Sequence, residues 1–189
     1  MQSASLNQPR PVFDSKDISL GIREIALRLL RRHPEPGGLG LVGIHTGGDL
    51  LLRRIEAAMA QASGASLDLD KGLVDIAFYR DDWTRLRQVP KLNDTVINFP
   101  VEGRRLVLID DVIFSGRTVR AALEAIFSLG RPASVDLAVL VDRGHRELPI
   151  QPDFTGLTLT TQRNESVNVF LFPDSAQDHV LLEPGKYRE

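Results

Sequence analysis

The 189-residue chain has no cysteine, one tryptophan and two tyrosines, and aromatic residues make up only 6% of it. Without cysteine there are no disulfides, no cysteine zinc sites and no thiol nucleophile. Long apolar runs are missing as well. The longest, Leu137 to Val141, has five residues, against the roughly 20 that a membrane span needs. The opening stretch MQSASLNQPRPVF holds no apolar signal core, so secretion is not expected and the cytoplasm is the expected location. Neither sign of charge dominates: 23 basic against 25 acidic residues leave a net charge of −2. That excludes a globally basic nucleic-acid binder and leaves room for a local basic patch. There is no internal repeat and no low-complexity tract.

What is present is an ordinary globular composition, 42% hydrophobic and 25% charged, in a chain long enough for one domain of about 150 residues plus an appendage. Residues 1–16 contain Pro9 and Pro11 and no periodicity, and they read as a flexible arm. Ile18, Ile22, Ile25, Leu29 and Leu30 recur at helical spacing and stop at Pro34 and Gly37-Gly38. LGLVGI (39–44) reads as a buried strand, followed by His45-Thr46-Gly47-Gly48 and a helix ending near Gly64. LVDIAFY (73–79), LVLI (106–109) and VDLAVLV (135–141) read as further strands, with a helix from about Thr118 to Leu129. Apolar strands alternating with helices predict an α/β domain over 17–189, with a mainly parallel sheet of about five strands covered on both faces. Residues 81–100 lack periodicity and are long for an idle loop, so they are either a lid or a surface hairpin. The terminal segments are expected to form a small hood.

Chemistry concentrates in LVLIDDVIFSGRT, Leu106 to Thr118. Asp110 and Asp111 emerge at the carboxyl end of a strand, where parallel sheets receive ligands. Ser115, Gly116, Arg117 and Thr118 lead into a helix, whose first-turn N–H groups form an anion site. Paired carboxylates accept hydrogen bonds from vicinal hydroxyls or hold Mg²⁺, and an N–H cradle holds a phosphate. A ribose 5-phosphate offers both groups. An isolated Asp-Asp followed by a helix cap can be purely structural; the complete strand, acid pair, small-residue loop and helix favour the ligand reading. No Gly-Lys-Ser/Thr follows a glycine loop, which excludes a Walker phosphate loop.

This stretch closely resembles the phosphoribosyl pyrophosphate (PRPP) signature of type I phosphoribosyltransferases. VGIHTGG (42–48), YRDD (79–82), GRPAS (130–134) and LVDRGHRELPI (140–150) resemble the PyrR family, whose members are uracil phosphoribosyltransferases that also regulate pyrimidine genes. The resemblance implies the type I phosphoribosyltransferase fold and the conversion of uracil and PRPP to UMP and pyrophosphate. It implies that Asp110 and Asp111 hold the ribose hydroxyls and Mg²⁺, the latter directly or through water. By the same resemblance Ser115, Gly116, Arg117 and Thr118 take the 5-phosphate, Thr46 and Gly47 lie in the pyrophosphate loop, and Arg80 reaches pyrophosphate from the start of the lid. Arg143 and the backbone near Val167 match positions around the nucleotide or base. UMP and UTP are the implied regulatory ligands, and a homodimer or larger homo-oligomer the implied assembly.

The chain also departs from that pattern. Thr46-Gly47-Gly48 stands where the family has Thr-Arg-Gly, removing a charged contact of about 1.5–3 kcal/mol. Weakened turnover is therefore an expectation, and returning an arginine at position 47 is expected to raise activity. The alternative reading is a nucleotide-sensing regulator with little or no turnover. Gln151 and Leu157 replace basic positions that face RNA in regulatory members, while His145 and Arg146 remain. Arg23, Arg28, Arg31 and Arg32 read as a solvated helix side, so RNA stays an open partner. The PRPP signature by itself leaves a purine or orotate as alternative bases. His33, His45 and His179 read as bystanders and Trp83 as a packing or lid residue.

Overall fold

The computed structural model describes residues 8–45, 47–76 and 95–185. The elements run β1 (Arg10–Phe13), α1 (Ser15–Arg32), β2 (Leu39–Ile44), α2 (Gly48–Ser63), β3 (Leu69–Val74), β4 (Val96–Ile97), β5 (Arg105–Ile113), α3 (Arg117–Ser128), β6 (Ser134–Asp142), β7 (Phe154–Thr158), β8 (Ser166–Phe170) and β9 (His179–Glu183). Among the described residues, six strands form one sheet in the order β4-β3-β2-β5-β6-β7. All its neighbours are parallel except β3 and the edge strand β4. A second, antiparallel sheet in the order β1-β9-β8 joins the two ends of the chain as a hood.

Alternation along the buried strands sorts side chains into two cores. Leu39 and Leu41, Val107 and Ile109, Ala138 and Leu140 face α1 and α2, where they meet Ile18, Ile25, Leu29, Leu51, Ile55 and Met59. Val42 and Ile44, Leu106 and Leu108, Leu137 and Val139 face α3 through Val119, Ala122, Ala125 and Ile126. The first helix starts at a complete capping box: the Asp14 carboxylate accepts from the Asp17 N–H, and the Asp17 carboxylate accepts from the Asp14 N–H.

Several sequence expectations change. Residues 10–16 are not a flexible arm, because Arg10–Phe13 pairs with β9 and Asp14 caps α1; residues 1–7 lie outside the described residues. The sheet has six strands rather than five. Residues 81–94 of the expected lid, Trp83 among them, lie outside the described residues, and Val96-Ile97 at its end pairs with Gly72 and Leu73. His33 is not a surface residue: it is buried, with Nε2 2.9 Å from the Asp136 carboxylate. Leu157 packs against the first core, close to Gly21 of α1.

A buried ion pair fastens the hood. Asp178 is fully buried at its side chain, pairs with Arg54 of α2 and accepts from the Phe172 N–H at 2.8 Å; Arg54 also donates to the Phe172 carbonyl. Asp178→Ala leaves a guanidinium and an amide short of their acceptor. A thermal melt is expected to show a loss of about 2 kcal/mol, or roughly 4–8 °C for a chain of this length.

Candidate active site

The strand order reverses between β2 and β5. From β2 the chain steps outward through α2 to β3, then returns to the other side of β2 to add β5, β6 and β7. In open parallel sheets ligands bind at such a switch point, beyond the carboxyl ends of the two strands. Gly43 of β2 is in register with Ile109 of β5. The residues that follow, His45, Gly47 and Gly48 on one strand and 110–117 on the other, therefore stand side by side.

The acid pair lies inside β5 rather than beyond its end, a correction to the sequence reading. β6 runs alongside as far as Asp142, so the ladder continues through Asp110↔Val139 and Val112↔Val141. The pleat separates the two side chains. Asp110 takes the side of Leu106 and Leu108 beneath α3 and is 5% exposed. Asp111 takes the side of Val107 and Ile109, toward α2, where its carboxyl covers Gly47. Burial, then repulsion from Asp111, pushes the Asp110 carboxyl well above the usual carboxylate range, and burial pushes Asp111 up as well. The Asp111 N–H donates to Asp110 Oδ1 at 3.0 Å. Among the described residues no cluster of three metal-ligating side chains exists. Two under-compensated carboxylates fit an ion that arrives with its own oxygen ligands, as Mg²⁺ does on substrate phosphates.

Two helix N-termini open onto the same place. α2 begins after Gly47 and α3 after Gly116, and neither N-cap glycine caps its helix, unlike Asp14 at α1; at α3 the Ser115 hydroxyl oxygen accepts from the Arg117 N–H at 3.4 Å. Their first-turn N–H groups have no carbonyl one turn earlier, and both carry the positive end of the helix dipole. Gly116 has φ +91°, which turns β5 sharply into α3. Gly48 lets α2 start directly against the sheet: a Cβ there would lie 2.8 Å from the Ile109 carbonyl oxygen.

The loop at 114–116 is held from below by DRGHRELPI. Left-handed Gly144 and His145 reverse the chain after β6. The Ser115 carbonyl then accepts from the N–H groups of Glu147 (2.9 Å) and Leu148 (3.2 Å). Arg146 is fixed by Asp142 at 2.6 Å and donates to the Phe114 and Ile150 carbonyls. Arg143 is buried, its guanidinium carbon 4.1 Å from the centre of the Phe114 ring, and it donates to the Gln162 carbonyl at 3.0 Å. These contacts put it behind the loop 114–116, supporting that loop through Phe114.

Of the residues singled out from the sequence, Gly47, Asp110, Asp111, Ser115, Gly116, Arg117 and Thr118 converge at the switch point. Thr46 and Arg80 lie outside the described residues. Arg117 contributes its backbone, for its guanidinium is held 2.7 Å from Glu147, whose carboxyl it keeps below the usual range. Glu147 is shared with Arg163. Val167 lies on β8, in register with Leu182, with its side chain toward the core. Among the described residues β8 is an edge strand, so its outer backbone groups are unpaired by the sheet. Sequence reasoning missed Phe114 and Glu147; the only signal was a lone aromatic within an otherwise polar loop.

The fold and these two loops define a class, and the phosphoribosyl transferase domain model matches residues 12–173. A hypoxanthine phosphoribosyltransferase from Trypanosoma cruzi, in a ternary substrates complex, shares the fold with a TM-score of 0.68 at 21% identity, over 94% of this chain and 97% of that one. The chain is 44% identical over 177 residues to the bifunctional protein PyrR of Syntrophobacter fumaroxidans, covering 94% of each. It is 42% identical over 173 residues to that of Desulfosudis oleivorans, covering 91% of this chain and 94% of the relative. The chain belongs to the PyrR family.

Proposed function

We propose that the chain transfers a 5-phosphoribosyl group from PRPP to uracil, giving UMP and pyrophosphate. The observation that carries this reading is the convergence of an acid pair and two helix N-termini with glycine N-caps at one switch point. A PRPP molecule has an anion at each end and a diol between, and this site offers the matching groups in that order. The 5-phosphate meets the amides of 115–118 with the Ser115 and Thr118 hydroxyls. Asp110 and Asp111 accept from the ribose hydroxyls. The diphosphate meets Gly47, Gly48 and the start of α2; Thr46 and Arg80, both outside the described residues, are assigned to it by the family resemblance alone.

The uracil N1 bonds to the anomeric carbon as the diphosphate leaves with the bonding electrons, and the N1 proton passes to the departing diphosphate or to water. Positive charge develops on the ribose ring, and the carboxylates beside it are already fixed by burial and by the strand, so no reorganisation is needed. Mg²⁺ held by Asp110 and Asp111 together with substrate oxygens would supply charge neutralisation for the leaving diphosphate. The open edge of β8 near Val167 reads the base through its backbone, and Arg143 keeps Phe114 and the phosphate loop in place. Pure protein with PRPP, Mg²⁺ and labelled uracil is expected to yield UMP; product from hypoxanthine or orotate instead would reassign the base. Arg146→Ala removes the prop under Phe114 and is expected to raise the KM for PRPP about tenfold, with a smaller change in kcat, in the same assay.

The relatives' name, bifunctional, supports a second role for the same pocket: UMP or UTP occupancy controlling pyrimidine genes through RNA. UMP-dependent binding of a pyrimidine leader transcript, weakening as salt rises, is the expected result. A homodimer or larger assembly belongs to this reading and is tested by sedimentation. Among the described residues no helix is long and apolar enough to cross a membrane.

A further inference from the structure

An acidic side chain stands beside a subsite that favours anions. The Glu147 N–H donates to the Ser115 carbonyl at 2.9 Å, which fixes the residue against the turn that opens α3. Its carboxylate takes two arginines, Arg117 at 2.7 Å and Arg163 at 2.5 Å. Both arginine side chains are about half exposed, and ion pairs so placed add little to stability. What the pairing with Arg117 does decide is where a positive charge points.

Arg117 is the first residue of α3. In a helix the Cα–Cβ bond leans toward the N-terminus, so a long side chain at this position can fold over an anion that rests on the first-turn amides. The Arg117 N–H, 3.4 Å from the Ser115 hydroxyl oxygen, is one of those amides. Its guanidinium is turned instead to Glu147, through Nε. Glu147 is not carried along by Arg117. Its backbone is held by Ser115, and its second carboxylate oxygen is held by Arg163, from the segment between β7 and β8.

We propose that Glu147 is a positioning residue that turns the Arg117 guanidinium away from the 5-phosphate, leaving that group to the amides and hydroxyls of residues 115–118; the assignment rests on the phosphoribosyltransferase reading and deepens it. Substrate and product carry the same 5-phosphate. A guanidinium added to this subsite tightens both alike. Such uniform binding lowers KM without raising kcat, and it slows the departure of UMP. Glu147 keeps the phosphate subsite weak enough to empty.

The test is calorimetric binding of UMP and of ribose 5-phosphate to the full chain, to Glu147→Gln, to Arg117→Gln and to the double variant. Glutamine keeps the length of the Glu147 side chain and removes its charge. Glu147→Gln is expected to bind both ligands about tenfold more tightly, a change opposite in sign to that of a loosened loop. Arg117→Gln alone is expected to stay within about twofold of the parent, because Arg163 still holds the Glu147 carboxylate. The double variant is expected to return to the parent affinity, since the gain needs the guanidinium. Unchanged or weaker binding in Glu147→Gln, a gain that survives in the double variant, or a loss of about tenfold in Arg117→Gln alone would overturn the assignment. If the parent binds both ligands and Glu147→Gln changes nothing, Glu147 loses its role while the phosphate site stands. If the parent binds neither ligand, the phosphoribosyltransferase reading fails and the role of Glu147 falls with it.

Discussion

Asp110→Asn is expected to melt at a higher temperature than the parent chain at neutral pH, and to lose about 100-fold or more of its UMP-forming activity. Both effects come from one placement. Asp110 is buried under α3 beside Asp111, and its carboxyl is held well above the ordinary value of 3.8. The folded chain therefore binds this proton more tightly than the unfolded chain. Its stabilising effect is full below about pH 4 and declines as pH rises from there, until the raised folded-state value is passed. The decline is at most about 1.4 kcal/mol per pH unit for one group. Asparagine keeps the Oδ1 that accepts from the Asp111 N–H and carries no charge to desolvate. Melts of parent and variant are expected to converge near pH 4 and diverge toward pH 8, by roughly 2–4 °C for each kcal/mol. Activity is expected to fall because, on the proposed reading, the ribose hydroxyls lose a charged acceptor. A variant that is both less stable at neutral pH and fully active would contradict the placement.

Gly47→Arg is the second large effect, and its sign reverses the expectation drawn from the sequence. As a loop residue, Gly47 suggests a missing cation that an arginine would restore. Its backbone, at φ −78° and ψ −27°, accepts any residue, so strain is not the obstacle. The obstacle is Asp111, whose carboxyl fills the space a Cβ would need. An arginine at 47 displaces the carboxylate that we propose holds the ribose hydroxyls, and kcat/KM is expected to fall about tenfold or more. Gly47→Ala is expected to lose activity in the same direction, since the clash begins at the first carbon. Steady-state kinetics of the two variants decide the matter. A gain on introducing arginine would show that Asp111 turns aside without loss.

The sheet and its helices were legible because their signals are local. The run LGLVGI, the run VDLAVLV and the spacing of Ile18, Ile22, Ile25 and Leu29 each name an element without reference to the rest of the chain. The strand, the acid pair and the small-residue turn into α3 were legible for the same reason, being one continuous stretch from 106 to 118. What escaped depends on partners far away in sequence. β1 is four residues long and exists because Arg10 lies opposite Leu182. His33 is buried because Asp136 faces it. DRGHRELPI reads as a polar turn until its arginines are seen to reach Phe114 and the loop after Thr160. Asp111 over Gly47 is a contact between the ends of two neighbouring parallel strands, and no spacing within either loop announces it.

The most direct measurement is a crystal structure of the chain with PRPP bound. The account predicts the 5-phosphate on the amides of residues 115–118, the ribose hydroxyls on Asp110 and Asp111, and the diphosphate against Gly47, Gly48 and the start of α2. A sugar phosphate bound elsewhere, with the switch point between β2 and β5 closed by packed side chains, would contradict it.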